Sequence, residues 1–243
     1  SNFLDKRFFS LYSNVCGRKT LTKNMNSIIE EIEAEEWTEN FNPSYNIAPS
    51  QYSPIAININ KKRIIKNMTW GLIPSWSKNE IVGQKMINAR SETILEKPSF
   101  QNLVNKNRCI VIADGYFEWN MQNGIGQPYY IFHPEKRLLP MAGLWTTWES
   151  SKSEIIESYT IITTKPQKKI AHIHNRMPVI IENKMIDKWI DCENNSINLA
   201  INLLKPYPSE LSFYPVSKYM NSPKNNSKEC IRSIKDSMTL DLF

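Results

Sequence analysis

Residues 108–120 read RCIVIADGYFEWN and show the clearest strand pattern in the chain, with β-branched residues followed by aromatic ones. We predict one strand across this stretch. Side chains alternate between the two faces of a strand, so Asp114, Tyr116 and Glu118 are expected to share one face. A carboxylate on so apolar a strand lies at an open edge or in a cleft, where desolvation raises its pKa. An ordinary solvent-facing glutamate is the alternative, and this stretch alone favours it for Glu118.

Further strands and helices are expected on both sides of this stretch. Residues 55–70, IAININ followed by KKRIIKNMTW, predict a β-hairpin or meander. Later strands are predicted at 127–134, 138–148, 158–164 and 173–181. Helices are predicted at 26–37, 183–192 and 196–205, and a loop at 217–228. Because there is no internal repeat and no break in composition, we predict one α+β domain dominated by antiparallel strands with helices outside.

The composition bounds the class of protein. The chain has 243 residues, 41% of them hydrophobic and 11% aromatic, as in an ordered domain with a substantial core. No apolar run approaches the roughly 20 residues that span a bilayer, and the N-terminal FFSLY patch is too short for a signal peptide. The four cysteines, at 16, 109, 192 and 230, show no paired spacing that indicates disulfides or a zinc site. We expect a reduced, metal-free cytoplasmic protein with no membrane contact.

The net charge is +6, from 30 basic and 24 acidic residues. Such an excess suits a polyanionic partner such as nucleic acid. A mildly basic composition is also common in proteins that bind no anion. Charge therefore permits nucleic-acid binding without establishing it.

Two short motifs combine a polar side chain with an arginine. In IHNRMP (173–178), His174 and Arg176 project to one side if the stretch is extended, where a histidine can move protons and a guanidinium can hold a phosphate. A structural histidine beside a surface arginine is the alternative. In NARSET (88–93), Asn88 and Arg90 share a face if extended, and helix capping by Asn88 is equally plausible.

Aromatic side chains and a cysteine complete the candidates. WGLIPSW (70–76) carries Trp70 and Trp76 around a proline; exposed, they are stacking platforms for bases, and buried, they are core. Cys16, in CGR, is either a small buried hydrophobe or a nucleophile. With His174 and either Glu118 or Asn88 it would form a thiol, base and orienting group, although spacing alone does not bring them together.

Eight stretches in order resemble the SOS response-associated peptidase family, known as SRAP. The resemblance covers most of the chain, from Cys16 to about Val216. The stretches are CGR (16–18), YNIAPSQ (45–51), WGLIPSW (70–76), INARSET (87–93), RCIVIADGYFEW (108–119), AGLW (142–145), TIITT (160–164) and IHNRMPVII (173–181).

The resemblance implies a single domain with a barrel-like, mainly antiparallel β core and peripheral helices. It also implies a sensor of abasic sites in single-stranded DNA that acts in the SOS response to DNA damage. The family's cysteine becomes N-terminal when the initiator methionine is removed, and its α-amine and thiol capture the sugar aldehyde as a thiazolidine. Autopeptidase (a protease, hence hydrolase, activity) and lyase chemistry accompany this covalent link. A cytoplasmic, nucleoid-associated monomer without metal or cofactor is expected.

Residue by residue, the resemblance makes Cys16 the crosslinking residue and Asn88 the group that positions it. Glu118 and His174 become the acid–base pair around the sugar. The implied DNA contacts are Arg18, Arg90 and Arg176 on phosphates, and Asn46, Pro49, Trp70 and Trp76 along the groove.

The residues before Cys16 conflict with this chemistry, because a peptide nitrogen is conjugated and cannot form an imine. Residues 1–15 are therefore expected to be a leader removed by self-cleavage or the product of a mis-assigned start. We favour the second explanation, in which Val15 is a GUG codon that initiates as methionine. The predicted division is an extension at 1–15 and an SRAP-like domain at 16–243.

Two rival functions stay open. One is a cysteine peptidase that uses Cys16 as nucleophile and His174 as base. The other is a non-catalytic module that binds single-stranded DNA. A DNA adduct that survives a denaturing gel distinguishes the crosslinking function from both.

Overall fold

The computed structural model of the chain describes residues 17–121 and 126–235. At its centre five strands close into a barrel, because the two end strands of the ring also pair with each other. The strands are β3 (Tyr52–Ile59), β4 (Lys62–Trp70), β6 (Arg108–Val111), β9 (Met141–Glu149) and β10 (Ile155–Thr164). The order around the ring is β10, β4, β3, β6, β9, and only the β4–β10 pair is parallel.

The hairpin predicted at residues 55–70 is confirmed as β3 and β4. Asn60 and Lys61 connect the two strands with φ values of 52° and 64°. Two consecutive positive φ values are typical of a type I′ turn, whose twist matches that of the paired strands.

Two short strands attach to β10 outside the ring. β5 (Asn88–Arg90) pairs with β10 in parallel, and β11 (Met177–Pro178) pairs with it in the antiparallel sense. Thr163 of β10 is opposite Arg90 in the first pairing and Pro178 in the second. One strand of the barrel therefore carries both polar motifs of the sequence.

A second, five-stranded sheet packs beside the barrel. Its strands, in spatial order, are β12 (Ser212–Pro215), β8 (Gln127–Phe132), β7 (Gly115–Asn120), β1 (Lys19–Leu21) and β2 (Ser44–Ile47). One face joins the main core through Leu21, Tyr116 and Ile131. On the other face, Phe117 and Tyr130 pack with apolar residues of the segment after β12. This sheet therefore separates the main core on one face from a smaller apolar cluster on the other.

The helices lie outside the strands; the three that were predicted are shorter than expected, and the one at Gln101–Lys106 was not predicted. They are α1 (Met25–Ile32), α2 (Gln101–Lys106), α3 (Ile186–Ile190) and α4 (Ile197–Ala200). The Asn24 side chain caps α1, and Glu33 ends it in the left-handed conformation with φ 55°, so the predicted extent to residue 37 is wrong. Among the described residues, no helix has the length and apolar character needed to cross a membrane.

The predicted strand at 108–120 is two strands, β6 and β7, that belong to different sheets. The corner between them is fixed by Asp114, whose carboxylate accepts hydrogen bonds from Thr20 Oγ1 at 2.6 Å and from the Thr22 amide at 2.6 Å. Asp114 thus lies outside the strand of Glu118, against our expectation. The strand predicted at 173–181 is likewise reduced to β11, and the 217–228 loop contains 3-10 turns at Lys218–Asn221 and Lys228–Ile231.

The predicted fold class is nevertheless confirmed. The structure is a single α+β unit with a barrel-like, mainly antiparallel β core and short peripheral helices. Its large main core of buried aliphatic and aromatic side chains spans the barrel and one face of the second sheet.

Gly143 on β9 provides a test of barrel closure. An added Cβ would lie 2.7 Å from Thr160 O of β10 and 2.9 Å from the Val111 side chain, so the backbone itself must shift. We expect Gly143→Ala to lower the free energy of unfolding by about 2 kcal/mol in chemical denaturation, as for other overpacked sites. For the control Gly126→Ala the nearest atoms belong to side chains, the flexible Met121 sulfur at 3.2 Å and Trp119 Cδ1 at 3.4 Å, so stability should change by less than about 0.5 kcal/mol. Equal effects of the two substitutions would contradict this packing.

Candidate active site

Cys16 lies outside the described residues, and the description begins at its covalent neighbour Gly17. Strand β1 follows at once and pairs with β7, with Lys19 opposite Tyr116. The Phe117 amide donates a hydrogen bond to Arg18 O at 2.9 Å. Because opposed residues in an antiparallel pair move in opposite directions along their strands, this register places Gly17 opposite Glu118.

Glu118 is almost fully buried, with 2% of its surface exposed. It lies on the same face of β7 as Tyr116, which belongs to the main core. The solvent-facing alternative for Glu118 is therefore wrong. A buried carboxylate facing the barrel side of the sheet is the arrangement expected of a functional group.

Lys19 and Trp70 connect this sheet to the barrel. Lys19 is fully buried; its ammonium hydrogen-bonds Ser53 Oγ and lies 5.7 Å from the centre of the Trp70 ring. Trp70 is also fully buried, and its Nε1 donates to Ile87 O at 3.0 Å. The expected DNA contact by Trp70 is not possible for a side chain enclosed in the core. The hydrogen bond from Trp70 Nε1 instead holds Ile87, the residue before Asn88.

Asn88 and Arg90 share an outward face of β5, as the extended interpretation predicted. Asn88 is half-buried and Arg90 is exposed, whereas Ala89 between them is buried. Asn88 and Arg90 are both held in extended conformation by the pairing of β5 with β10. The helix-capping alternative for Asn88 is therefore wrong.

His174 is half-buried, and its Nδ1 accepts a hydrogen bond from the Arg176 amide at 3.1 Å. Burial lowers the pKa of His174 from its ordinary value, and the nearby Arg176 charge lowers the pKa further. The imidazole is therefore neutral at pH 7, and because Nδ1 is the acceptor, Nε2 carries the proton. This geometry makes His174 a hydrogen-bond donor through Nε2.

Arg176 is buried in an ion pair, contrary to its expected exposure on a DNA-binding surface. Its two Nη atoms bind Glu92 Oε1 and Oε2 at 2.7 and 2.9 Å, and Nη2 also donates to Thr163 O at 2.8 Å. Only 7% of Arg176 is exposed. The pair lowers the pKa of Glu92, chiefly through the hydrogen bonds from Arg176. Arg176 thus ties the His174 loop to β10 and to the turn after β5.

Further contacts bring the His174 loop beside the strand of Glu118. Asn120 Nδ2 on β7 donates to His172 O at 3.0 Å. Tyr129 is directly opposite Glu118 in the β7–β8 pair, and the edge of its ring meets His172 at a centroid distance of 6.4 Å. Through these links and those of Trp70, the fold connects the elements that carry Glu118, Asn88 and His174.

Arg18 and Asn46 lie on the opposite face of the second sheet and do not form a DNA-contacting surface. Arg18 Nη1 donates to Asn46 Oδ1 at 2.9 Å and to Met220 O at 2.8 Å. Asn46 Nδ2 donates to Met220 O at 3.0 Å and to Asn225 O at 2.7 Å. Both predicted DNA ligands are therefore buried side chains that hold the segment after β12 in place.

The remaining predicted DNA contacts are at the surface to different degrees. Trp76 is 65% exposed, whereas Pro49 is half-buried in the turn after β2. Sequence reasoning missed two exposed lysines, Lys165 and Lys168, which follow β10 and form no ion pair with any described residue. The run KPQKK directly after a predicted strand was the available signal.

Residues 17–121 and 126–235 contain no cluster of three or more histidine, cysteine, aspartate or glutamate side chains suited to a metal ion. Cys109, Cys192 and Cys230 are free thiols.

Comparisons with known proteins agree with one another. The family model for "SOS response associated peptidase (SRAP)" matches residues 15–223. The Bacillus subtilis protein named "Abasic site processing protein YoqW" is 39% identical over 223 residues, 90% of this chain and 100% of that protein. "Abasic site processing protein HMCES" of Gallus gallus is 33% identical over 234 residues, 82% of this chain and 69% of that protein. A crystal structure of a Bacteroides thetaiotaomicron protein has a TM-score of 0.81 at 26% identity and covers 90% of this chain and 99% of that one.

The Glu92–Arg176 pair predicts a pH-dependent loss of stability. Because the pKa of Glu92 is lowered in the fold, its contribution is present above the ordinary glutamate value of 4.5 and is lost as the pH falls through the lower, folded value. We expect Glu92→Gln to lower the free energy of unfolding by about 1 kcal/mol at pH 7, a figure reduced for the exposed glutamate side of the pair. Denaturation at stepped pH should show the difference from wild type vanish in acid.

Glu210→Gln is the matched control for this substitution. It removes a pair with Lys169 in which both side chains are largely exposed, at 77% and 46%. Its effect should be below about 0.5 kcal/mol at any pH. A difference between wild type and Glu92→Gln that persists in acid would mean that the pair is not its source.

Proposed function

This chain belongs to the SOS response associated peptidase (SRAP) family, and from that premise we propose that it processes abasic sites in single-stranded DNA through a covalent link to Cys16. The relatives that carry the name "abasic site processing protein" support the substrate class. The burial of Glu118 opposite Gly17, the neighbour of Cys16, is the observation that carries the proposal.

The proposed link is a thiazolidine, which needs an α-amine and a thiol on the same residue. The α-amine, with a pKa of about 7.7 to 8.0, is partly neutral at pH 7 and attacks the aldehyde of the ring-opened sugar. Loss of water gives an imine, and addition of the thiol sulfur to the imine carbon closes the five-membered ring as the nitrogen takes up the thiol proton. The net change is one water released, and no oxidant is needed. An active chain must therefore begin at Cys16, with residues 1–15 absent or removed.

The proposed roles draw on the chemistry of each side chain and on its place in the fold. Glu118 moves protons between the amine, the carbinolamine hydroxyl and the departing water. His174 donates its Nε2 proton in a hydrogen bond to the sugar ring oxygen and so favours the open aldehyde. Asn88, with an amide at the edge of β5, positions the reacting cysteine.

The DNA strand is proposed to follow the exposed basic side chains near β10. Arg90, Lys165 and Lys168 contact phosphates, and Trp76 offers a ring for stacking. Arg176 acts indirectly, because it holds the His174 loop. Such contacts bind any sequence, as a lesion sensor requires.

The geometry of His174 argues against a peptidase that uses it as base toward Cys16. The lone pair of the neutral ring is on Nδ1, where it accepts the Arg176 amide hydrogen bond. Nε2 is then protonated and cannot take the thiol proton. The family name keeps peptidase activity as the second candidate, and turnover of a peptide unrelated to this chain would favour it.

The crosslink is tested with abasic single-stranded DNA on a denaturing gel. A chain that begins Met-Cys16 should, after methionine removal, give a slow-migrating adduct whose mass is protein plus DNA minus one water. Cys16→Ser and the chain with residues 1–15 attached should give none, because each lacks one of the two nucleophiles. DNA whose abasic aldehyde has been reduced to an alcohol is the matched control. An adduct with the reduced DNA, or with Cys16→Ser, would overturn the proposal.

The donor role of His174 is tested with two substitutions. A glutamine amide can donate a hydrogen bond near the position of Nε2, whereas alanine cannot. In the Met-Cys16 chain, we expect His174→Gln to keep a crosslinking rate roughly tenfold above that of His174→Ala, about the value of one hydrogen bond. Equal rates for the two variants would indicate that His174 acts as a titrating acid or base.

A further inference from the structure

A cleft lies on the face of the five-stranded sheet opposite to Glu118. It has a volume of about 410 Å³, within the range of small-molecule sites. Tyr130, in its wall, is opposite Phe117 in the β7–β8 pair, whereas Tyr129 is opposite Glu118. Because neighbouring side chains point to opposite faces, the sheet separates this cleft from Glu118.

Aromatic rings form the walls of the cleft. Tyr130 and Phe132 stack at a centroid distance of 5.2 Å, and Tyr214 meets Phe132 nearly edge-on at 5.4 Å. Tyr45 enters from β2 on the other edge of the sheet. Phe132, Tyr214 and Tyr45 are only partly buried, so each leaves ring surface open to a ligand. Walls of this kind suit a flat aromatic group.

Two lysines without counter-charges stand at the rim. Lys136 and Lys228 line the cleft and are exposed, and neither forms an ion pair within the described ranges. Lys23, the third lysine of the lining, is paired with Glu31. The rim therefore offers two free cations to an anionic group.

Asp114 determines how a ligand is oriented. Its carboxylate lines the cleft and is held by the Thr20 and Thr22 hydroxyls at 2.6 and 2.7 Å. Burial and the Asp114 charge raise the pKa of Tyr130, which stays a neutral phenol. An anion is repelled from Asp114 and attracted by the lysines, so the charged end of a ligand belongs at the rim and its uncharged ring inside.

We propose that this cleft binds a nucleotide unit, with its base against Phe132 and Tyr214 and its phosphate on Lys136 and Lys228. A nucleotide combines a flat ring, which the aromatic walls suit, with an anionic phosphate, which the two rim lysines attract. The source is either a free nucleotide or one unit of a nucleic-acid strand. The site is independent of Cys16 and of the proposed crosslink.

The experiment uses the full chain and two probes, deoxyadenosine monophosphate and a short deoxythymidine oligonucleotide without a lesion. Binding is measured by titration calorimetry. The double variant Lys136→Ala/Lys228→Ala should bind about five- to tenfold more weakly, as expected for two exposed charge contacts. The control Lys62→Ala/Lys152→Ala removes two exposed charges outside the cleft and should bind as wild type does.

Phe132→Leu provides a second, uncharged test. Loss of a stacking ring should weaken binding roughly tenfold, while an unchanged circular dichroism spectrum shows that the variant folds. If the cleft variants bind both probes more weakly, the cleft is a site for a free nucleotide. If they bind only the oligonucleotide more weakly, the cleft holds one unit of a nucleic-acid strand. Either result supports the cleft.

Three outcomes would overturn the proposal: no binding of either probe, equal loss in the cleft and control lysine variants, or wild-type binding by Phe132→Leu. Because these side chains are on the opposite face of the sheet from Glu118, crosslinking in a Met-Cys16 chain should be unaffected by the lysine substitutions. Failure of the cleft is therefore distinguishable from failure of the crosslink.

Discussion

The hydrogen bonding of β10 is the constraint on which the rest of the structure depends. Its pairing with β9 closes the barrel, and its pairing with β4 joins the hairpin to the ring. The same strand aligns β5, which carries Asn88 and Arg90, and β11, which follows directly after the His174 loop. Asn88, Arg90 and His174 are therefore carried by elements fixed to the barrel wall.

Two arginines show how differently similar side chains are used. Arg90 points into solvent, whereas Arg176 satisfies Glu92 and a backbone carbonyl of Thr163. A buried ion pair contributes little net stability but is costly to break, so it is better suited to holding a loop than to exchanging partners. The amide of Arg176 then selects the tautomer of His174. Position and protonation of the histidine are thus set by one neighbouring residue.

Much of the fold follows from local sequence. The β3–β4 hairpin was predictable because alternating apolar residues flank Asn60, one of the residue types that adopt a positive φ most readily. The end of α1 was not, because Glu33 takes a left-handed conformation that its residue type does not favour. The division of residues 108–120 between two sheets was also not predictable, since the corner depends on hydrogen bonds from Thr20 and Thr22, more than 80 residues earlier in the chain, to Asp114.

The site was predictable in part, for the same reason. Strand alternation correctly placed Asn88 and Arg90 on one face, because that property is local. Burial is not local: Trp70, Arg18 and Asn46 have residue types common at nucleic-acid interfaces, and only the packed structure shows that all three are internal. Arg176 was misjudged because its partner Glu92 is distant in sequence.

The hydrogen bond from Arg18 Nη1 to Met220 O, a clamp between the two ends of the described chain, has a consequence for how the protein is made. Arg18 and the backbone of residue 220 are 202 positions apart, yet their bond secures the strand that follows Cys16. A ribosome releases the arginine long before its acceptor exists, so the clamp cannot form on a nascent chain until residue 220 has been synthesised. A polypeptide that stops before residue 220 would carry Cys16 and Arg18 without this hydrogen bond. The order of residues along the chain therefore sets the earliest point of synthesis at which this strand is secured.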